Sequence, residues 1–158
     1  MNIIVEGVSC PKKLEYAENL AKELNFEYHD FETNKLDRTE AFMEYLKILT
    51  NGKNNVINKA WISDIVNDME NATNIMLPRE FAILSNTLGM SGGFIVYTGV
   101  KPNDTDEWLE SLKIEDVEKM KDRINLYEKT LVEAQMYSPI LDVIMFEGEG
   151  VTVHASDD

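Results

Sequence analysis

The 158-residue chain has one cysteine, two histidines and four prolines. A lone cysteine excludes an internal disulfide framework and suits a reducing compartment. The histidines, His29 and His154, belong to no H-x-x-x-H or Cys/His cluster, so no metal site is expected. Positive charge is scarce. Lysine and arginine total 15 against 29 acidic residues, a net charge of −14, and the arginines are Arg38, Arg79 and Arg123. A phosphate backbone demands clustered cations to displace its counterions, which argues against direct nucleic-acid binding. No apolar run approaches the roughly 18 residues of a membrane span. Met1 to Gly7 lacks the basic start and apolar middle of a secretion signal, so a soluble, cytoplasmic protein is expected.

The hydrophobic fraction of 44% rules out wholesale disorder. The length suits one compact domain with a real core. Asn2 to Val5 is a short apolar run stopping at Gly7, as in a buried strand entering a turn. Leu14, Ala17, Leu20, Ala21 and Leu24 recur at helical spacing. Phe26 to Phe31 reads as a second strand, followed by a helix capped by Asp37 or Thr39 and ended by Asn51-Gly52. Asn55 to Asn58 and Gly93 to Tyr97 read as strands, with helices from Trp61 and Pro78 between them. Helices over 105–112 and 114–136 precede a last strand, Ile140 to Phe146. Residues 1–146 are thus one domain, and 147–158 are expected to be a flexible acidic tail. Strands alternating with helices, several of them short and apolar throughout, indicate a three-layer α/β sandwich around a parallel sheet. Ligands in such sheets sit at the carboxyl ends of the strands.

The turn after the first strand is therefore the place to look. A phosphate-binding loop has the pattern G-x-x-x-x-G-K-S/T. The matching window is Gly7-Val8-Ser9-Cys10-Pro11-Lys12-Lys13-Leu14. Gly7 and Lys13 match; Lys12 replaces the second glycine and Leu14 the hydroxyl. Pro11 has no N–H to offer an anion, and Leu14 cannot ligate Mg²⁺, which wants oxygen. Gly7, Lys12 and Lys13 remain as a phosphate-binding remnant. The alternative is purely architectural: Gly7 turns the chain, Ser9 caps the helix, Pro11 sits in its first turn and Leu14 packs in the core. Cys10 would have its thiol acidified by a helix N-terminus and by Lys12 or Lys13, but no base partner is evident, so an inert turn residue is expected.

Four segments carry a resemblance: Met1-Asn2-Ile3-Ile4-Val5-Glu6-Gly7; the helix from Glu15 to Leu24; Asn55-Val56-Ile57-Asn58-Lys59-Ala60-Trp61-Ile62-Ser63-Asp64-Ile65-Val66; and Gly92-Gly93-Phe94-Ile95-Val96-Tyr97-Thr98-Gly99. In this order they resemble bacteriophage deoxynucleoside monophosphate kinases of the thymidylate kinase-like P-loop family. The resemblance implies a five-stranded parallel sheet, ATP as donor, Mg²⁺, and a nucleoside monophosphate as acceptor. The family's Asp-Arg pair and later serine correspond to Asn58, Lys59 and Ser63. Asn58 lacks the charge that organises Mg²⁺ and phosphate, and Lys59 lacks a bidentate fork. The family's lid carries arginines, whereas Pro102 to Glu115 has none and holds five acidic residues. Asn58, Lys59, Ser63 and Arg79 are candidates for the acceptor pocket, with Arg79 alternatively an exposed first-turn residue.

A well-placed arginine is worth about 10³ to 10⁵ in the rate of phosphoryl transfer. Loss of loop amides, hydroxyl, carboxylate and lid arginines together points to a degenerate kinase fold, a pseudoenzyme that binds a host or phage protein with a basic surface and needs no cofactor. A homodimer is left open. The alternative is a divergent kinase using Lys13 and Lys59 to move phosphate from Mg-ATP to a deoxynucleoside monophosphate. A third reading is an acidic DNA mimic. The acidic residues of 104–118 would form a cation site, part of such a mimic, or a solvated helix face. Exposed methionines would suit an adaptable binding surface. Trp61 and Trp108 would anchor a partner if exposed.

Overall fold

The computed structural model describes residues 1–37, 40–147 and 150–155, from residue 146 onward as backbone alone. Thr39, one of the two caps expected for the second helix, lies outside these residues, as does Arg38. The first strand, β1 (Asn2–Gly7), is buried at every position. Unbroken burial, without alternation, means that both of its faces are covered. It lies at the centre of the sheet, paired in parallel with β3 (Asn55–Asn58) on one side and β4 (Phe94–Gly99) on the other. Ile4 stands opposite Ile57 and Ile95, so a continuous apolar layer crosses three strands. β2 (Glu27–Asp30) extends the sheet beyond β3, and β5 (Ile140–Glu147) beyond β4, again in parallel. These five parallel strands with their helices are the expected α/β class.

The stretch expected to be a flexible tail instead supplies a sixth strand. β6 (Gly150–Ala155) runs antiparallel to β5, with Val143 opposite Val153, giving the order β2-β3-β1-β4-β5-β6. The run Val151-Thr152-Val153 is β-branched throughout, which favours a pleated edge over open coil.

Among the helices, α1 (Pro11–Leu24) lies against β1, β2 and β3. The other face of β1, bearing Asn2, Ile4 and Glu6, meets α2 (Ala41–Leu49), α3 (Trp61–Asn71) and α4 (Pro78–Met90). Asn2 Nδ2 donates to the Leu49 carbonyl and to Ser91 Oγ, and the backbone N–H of Ser63 reaches Glu6. α5 (Thr105–Ser111) and α6 (Val117–Ala134) follow β4, and α6 packs on α3. The second helix begins at Ala41; its N-cap residue, Glu40, makes no side-chain cap, and Asp37 O accepts from the N–H groups of Glu40 and Ala41. No helix among the described residues is long and apolar enough to cross a membrane. Trp61 and Trp108 are buried, and Trp61 Nε1 donates to Ser85 Oγ at 3.0 Å. Neither can serve as an exposed anchor.

Candidate functional site

The carboxyl ends of β1, β2 and β3 open into a cleft of about 260 Å³. Ser9 comes to it from the turn after β1, Glu32 and Lys35 from the connection after β2, and Lys59 from the end of β3. Asp64 of α3 and Arg123 of α6 close the far side.

The turn is built by backbone constraint. Gly7 has φ +137°, and a Cβ there would lie 2.4 Å from the carbonyl oxygen of Thr98. Only glycine fits. Pro11 then opens α1, but Ser9 is not its cap: the N-cap is Cys10, in extended conformation, and no side chain caps the helix. The Cys10 carbonyl accepts from the N–H groups of Lys13 and Leu14. Burial pushes the Cys10 thiol pKa up, outweighing the N–H groups of Lys13 and Lys12 and the charge of Lys13. Burial thus outweighs the acidification that the helix N-terminus and the lysines would give. Leu14 is half-buried and not part of the core.

Lys12 and Lys13, neighbours in sequence, have opposite fates. Lys12 is exposed. Lys13 is wholly buried, and its ammonium is hydrogen-bonded to Glu32 Oε1. The cation that a phosphate would need already holds a carboxylate.

A second carboxylate sits inside the sheet. Glu6 is fully buried and accepts from the N–H groups of Ala60 and Ser63, each at 3.1 Å, and from Ser63 Oγ at 2.6 Å. It thus engages donors at the N-terminus of α3, where the helix dipole favours negative charge. Burial raises its pKa, opposed by the Lys13 charge and by the Ser63 and Ala60 bonds. Ser63 also shares a hydrogen bond of 2.8 Å with Tyr127 Oη. Ser63, expected on the acceptor side, is therefore committed to Glu6 and α6 and is not among the residues lining the cleft.

Lys59 does reach the cleft. Its backbone is left-handed, φ +69°, and Nζ lies 4.0 Å from Asp64 Oδ1. Asp64 is buried and accepts from Tyr45 Oη at 2.7 Å. Burial raises the Asp64 pKa, while Tyr45 and Lys59 pull it down. Asn58 points elsewhere. Its amide is buried without a hydrogen-bond partner, as is the Tyr28 hydroxyl; the two groups lie near enough to influence each other. Arg79 stands exposed in the first turn of α4, outside the cleft lining. Arg123 lines the cleft, is hydrogen-bonded to Glu70 and stacks over the Tyr127 ring.

Of the expected residues, the fold thus gathers Lys59 at the cleft and places Gly7 and Lys13 behind it. Glu6, Glu32, Asp64 and Arg123 were not visible as site residues in the sequence. Glu6 had a signal, as the lone carboxylate beside the apolar run Ile3-Ile4-Val5. Glu32 had none, because its role depends on where the connection after β2 folds back.

Mg²⁺ and ATP, which the resemblance implies, do not fit this arrangement. Leu14 offers no oxygen ligand, Pro11 no amide, and Lys13 is engaged within the protein. No group of three or more metal-ligating side chains occurs among the described residues.

No family model matches the sequence, and no curated protein matches it. Solved structures do. The YorR protein of Bacillus subtilis, crystallised in complex with phosphorylated GDP, superposes with a TM-score of 0.70 at 19% identity, over 90% of this chain and 85% of that one. Shikimate kinase from Aquifex aeolicus gives a TM-score of 0.52 at 12% identity, over 95% and 88% of the two chains. At these identities the likeness bears on architecture: this chain has a P-loop kinase-like α/β fold.

Proposed function

We propose that this chain is a catalytically degenerate nucleotide-kinase-fold protein that acts by binding a protein partner with a basic surface, of phage or host origin. One observation carries the first half: Lys13 is buried and held by Glu32. Phosphoryl transfer relies on positioning and on neutralising charge, and the residue that should supply both is neutralised internally. Glu6 and Asp64 place two more carboxyl groups near the strand ends, already engaged by Ala60 and Ser63 and by Tyr45. The second half is supported by the net charge of −14, since complementary fields speed encounter with a basic partner.

A divergent deoxynucleoside monophosphate kinase is the second reading, favoured by Lys35, Lys59 and Arg123 lining one cleft. At about 260 Å³ that cleft is smaller than the roughly 300 to 1,000 Å³ of ordinary ligand sites. Calorimetry with Mg-ATP and with dTMP, dGMP, dCMP and dUMP, beside a phosphoryl-transfer assay, separates the two. The proposal expects neither saturable heat nor product. Saturable Mg-ATP binding with transfer to any of the four would replace it with the kinase.

A further inference from the structure

We propose that the groove between α3, α4 and the end of α6 is a docking site for a basic amphipathic helix of the partner protein. This rests on the partner-binding reading above and gives that partner's contact a chemistry. The groove, of about 530 Å³, shares no lining residue with the cleft at the strand ends. Its floor is Met76 and Phe81, both buried, and its walls carry Met69, Met136 and Tyr137, which are 47%, 83% and 37% exposed. Unbranched, polarisable methionines let such a surface adapt to a range of apolar side chains.

Beneath this soft lining the backbone is fixed. Asp68 accepts from Thr73 Oγ1 and from the N–H groups of Ile75 and Met76 at 2.7 to 2.9 Å, tying down the loop from α3 to α4. Gly89 packs so closely that a Cβ would lie 2.0 Å from the Tyr137 carbonyl oxygen, locking the α6 end onto α4. Rigid walls mean that little ordering cost is incurred on binding.

The occupant follows from what borders the groove. Its walls are helices and the turns that follow them, with no open sheet edge, so an added strand would find no ladder to join. A helix offering apolar side chains at i, i+3, i+4 and i+7 needs none. The charged side chains lining the groove are Asp68 and Glu133, both carboxylates; Asp68 is engaged internally, and Glu133 is exposed at the rim. Positive residues flanking the guest's apolar stripe would meet that rim and the −14 field. A second copy of this chain would instead bring like charge against like.

The test uses the full chain with ¹³C-labelled methionine methyls, titrated with a helical peptide of about 18 residues (five turns) built from Leu and Lys at heptad spacing. The expected result is selective shifting of the Met69, Met76 and Met136 signals while exposed Met43 and Met90 stay still. A peptide with Glu in place of Lys should bind at least about tenfold more weakly, and so should the Lys peptide to the exposed-site variant Met69→Ser/Met136→Ser, whose fold is checked by circular dichroism. Equal shifts at Met43 and Met90 would mean diffuse attraction of a cationic peptide and would overturn the proposal, as would no shift at the three groove methionines or an unweakened variant. Selective shifts in a protein that also turns over Mg-ATP would leave the groove standing and remove the inert-kinase reading alone.

Discussion

Replacing Glu32 with Gln tests whether Lys13 is held by its carboxylate. The ammonium of Lys13 is wholly buried, and the Glu32 side chain is 15% exposed. Breaking a buried pair by removing one partner costs about 3 to 5 kcal/mol, because an uncompensated charge is left behind. Partial access of water to Glu32 places E32Q near the lower end, about 3 kcal/mol. With a urea m-value of about 2 kcal/mol/M, the midpoint should fall by about 1.5 M. Thermal unfolding should drop by roughly 6 to 12 °C for a chain of this size. Lys13→Met alone should cost a comparable amount. The double variant Lys13→Met/Glu32→Leu should return to near wild type, since an apolar pair of similar volume needs no countercharge. Urea denaturation of wild type, E32Q, Lys13→Met and a Lys13→Met/Glu32→Gln double variant closes the cycle that gives the coupling. A loss below about 1 kcal/mol in E32Q, the value of an exposed pair, would show that Lys13 is free to meet a ligand. So would saturable Mg-ATP binding gained by E32Q, because Glu32 alone would then be the obstacle.

Glu6 and Asp64 both have raised pKa values, so each binds its proton more tightly in the folded state than in the unfolded one. Their contribution to stability is complete below the ordinary values of 4.5 and 3.8 and is lost as pH rises through the raised ones. Urea midpoints taken from pH 4 to 7 should decline for wild type, and E6Q should flatten part of that decline; an unchanged slope would remove Glu6 as its source. Gly7→Ala should cost about 2 to 4 kcal/mol, because positive φ and the Thr98 carbonyl act together, and a thermal melt would show it. Tyr45→Phe removes the donor to Asp64 and should cost about 1.5 to 3 kcal/mol by urea denaturation.

The fold was legible where burial was continuous. Asn55 to Asn58 reads as a strand because the run is short and bounded by turn residues, and the structure places β3 over those same residues. Trp61 and Pro78 mark the starts of α3 and α4 for local reasons that survive in the structure. Legibility failed where tertiary contact decides. Acidic residues around 147–158 outweighed a β-branched run that an adjacent strand edge recruits as β6. The direction taken by Lys13 was hidden for the same reason: an exposed lysine and a buried one sit side by side at 12 and 13, and only Glu32, nineteen residues on, distinguishes them. Asn58 carries no charge, and its burial beside Tyr28 belongs to the sheet, not to the local sequence.

A site that receives a phosphate must keep its donors and cations unsatisfied until the ligand arrives, and that vacancy costs stability. In this chain several of those groups are engaged internally. Glu6 takes donors at the N-terminus of α3, Glu32 takes Lys13, Asp64 stands 4.0 Å from Lys59, and Glu70 takes Arg123. A nucleotide entering here would have to displace these carboxylates and then share space with them; at 4 Å and an effective dielectric near 20, each like-charge contact costs about 4 kcal/mol. No single substitution creates that barrier, so reversing one of them should not restore phosphate binding. Under the partner-binding proposal, this internal pairing would leave the outer surfaces, the methionine groove among them, as the places where the chain acts.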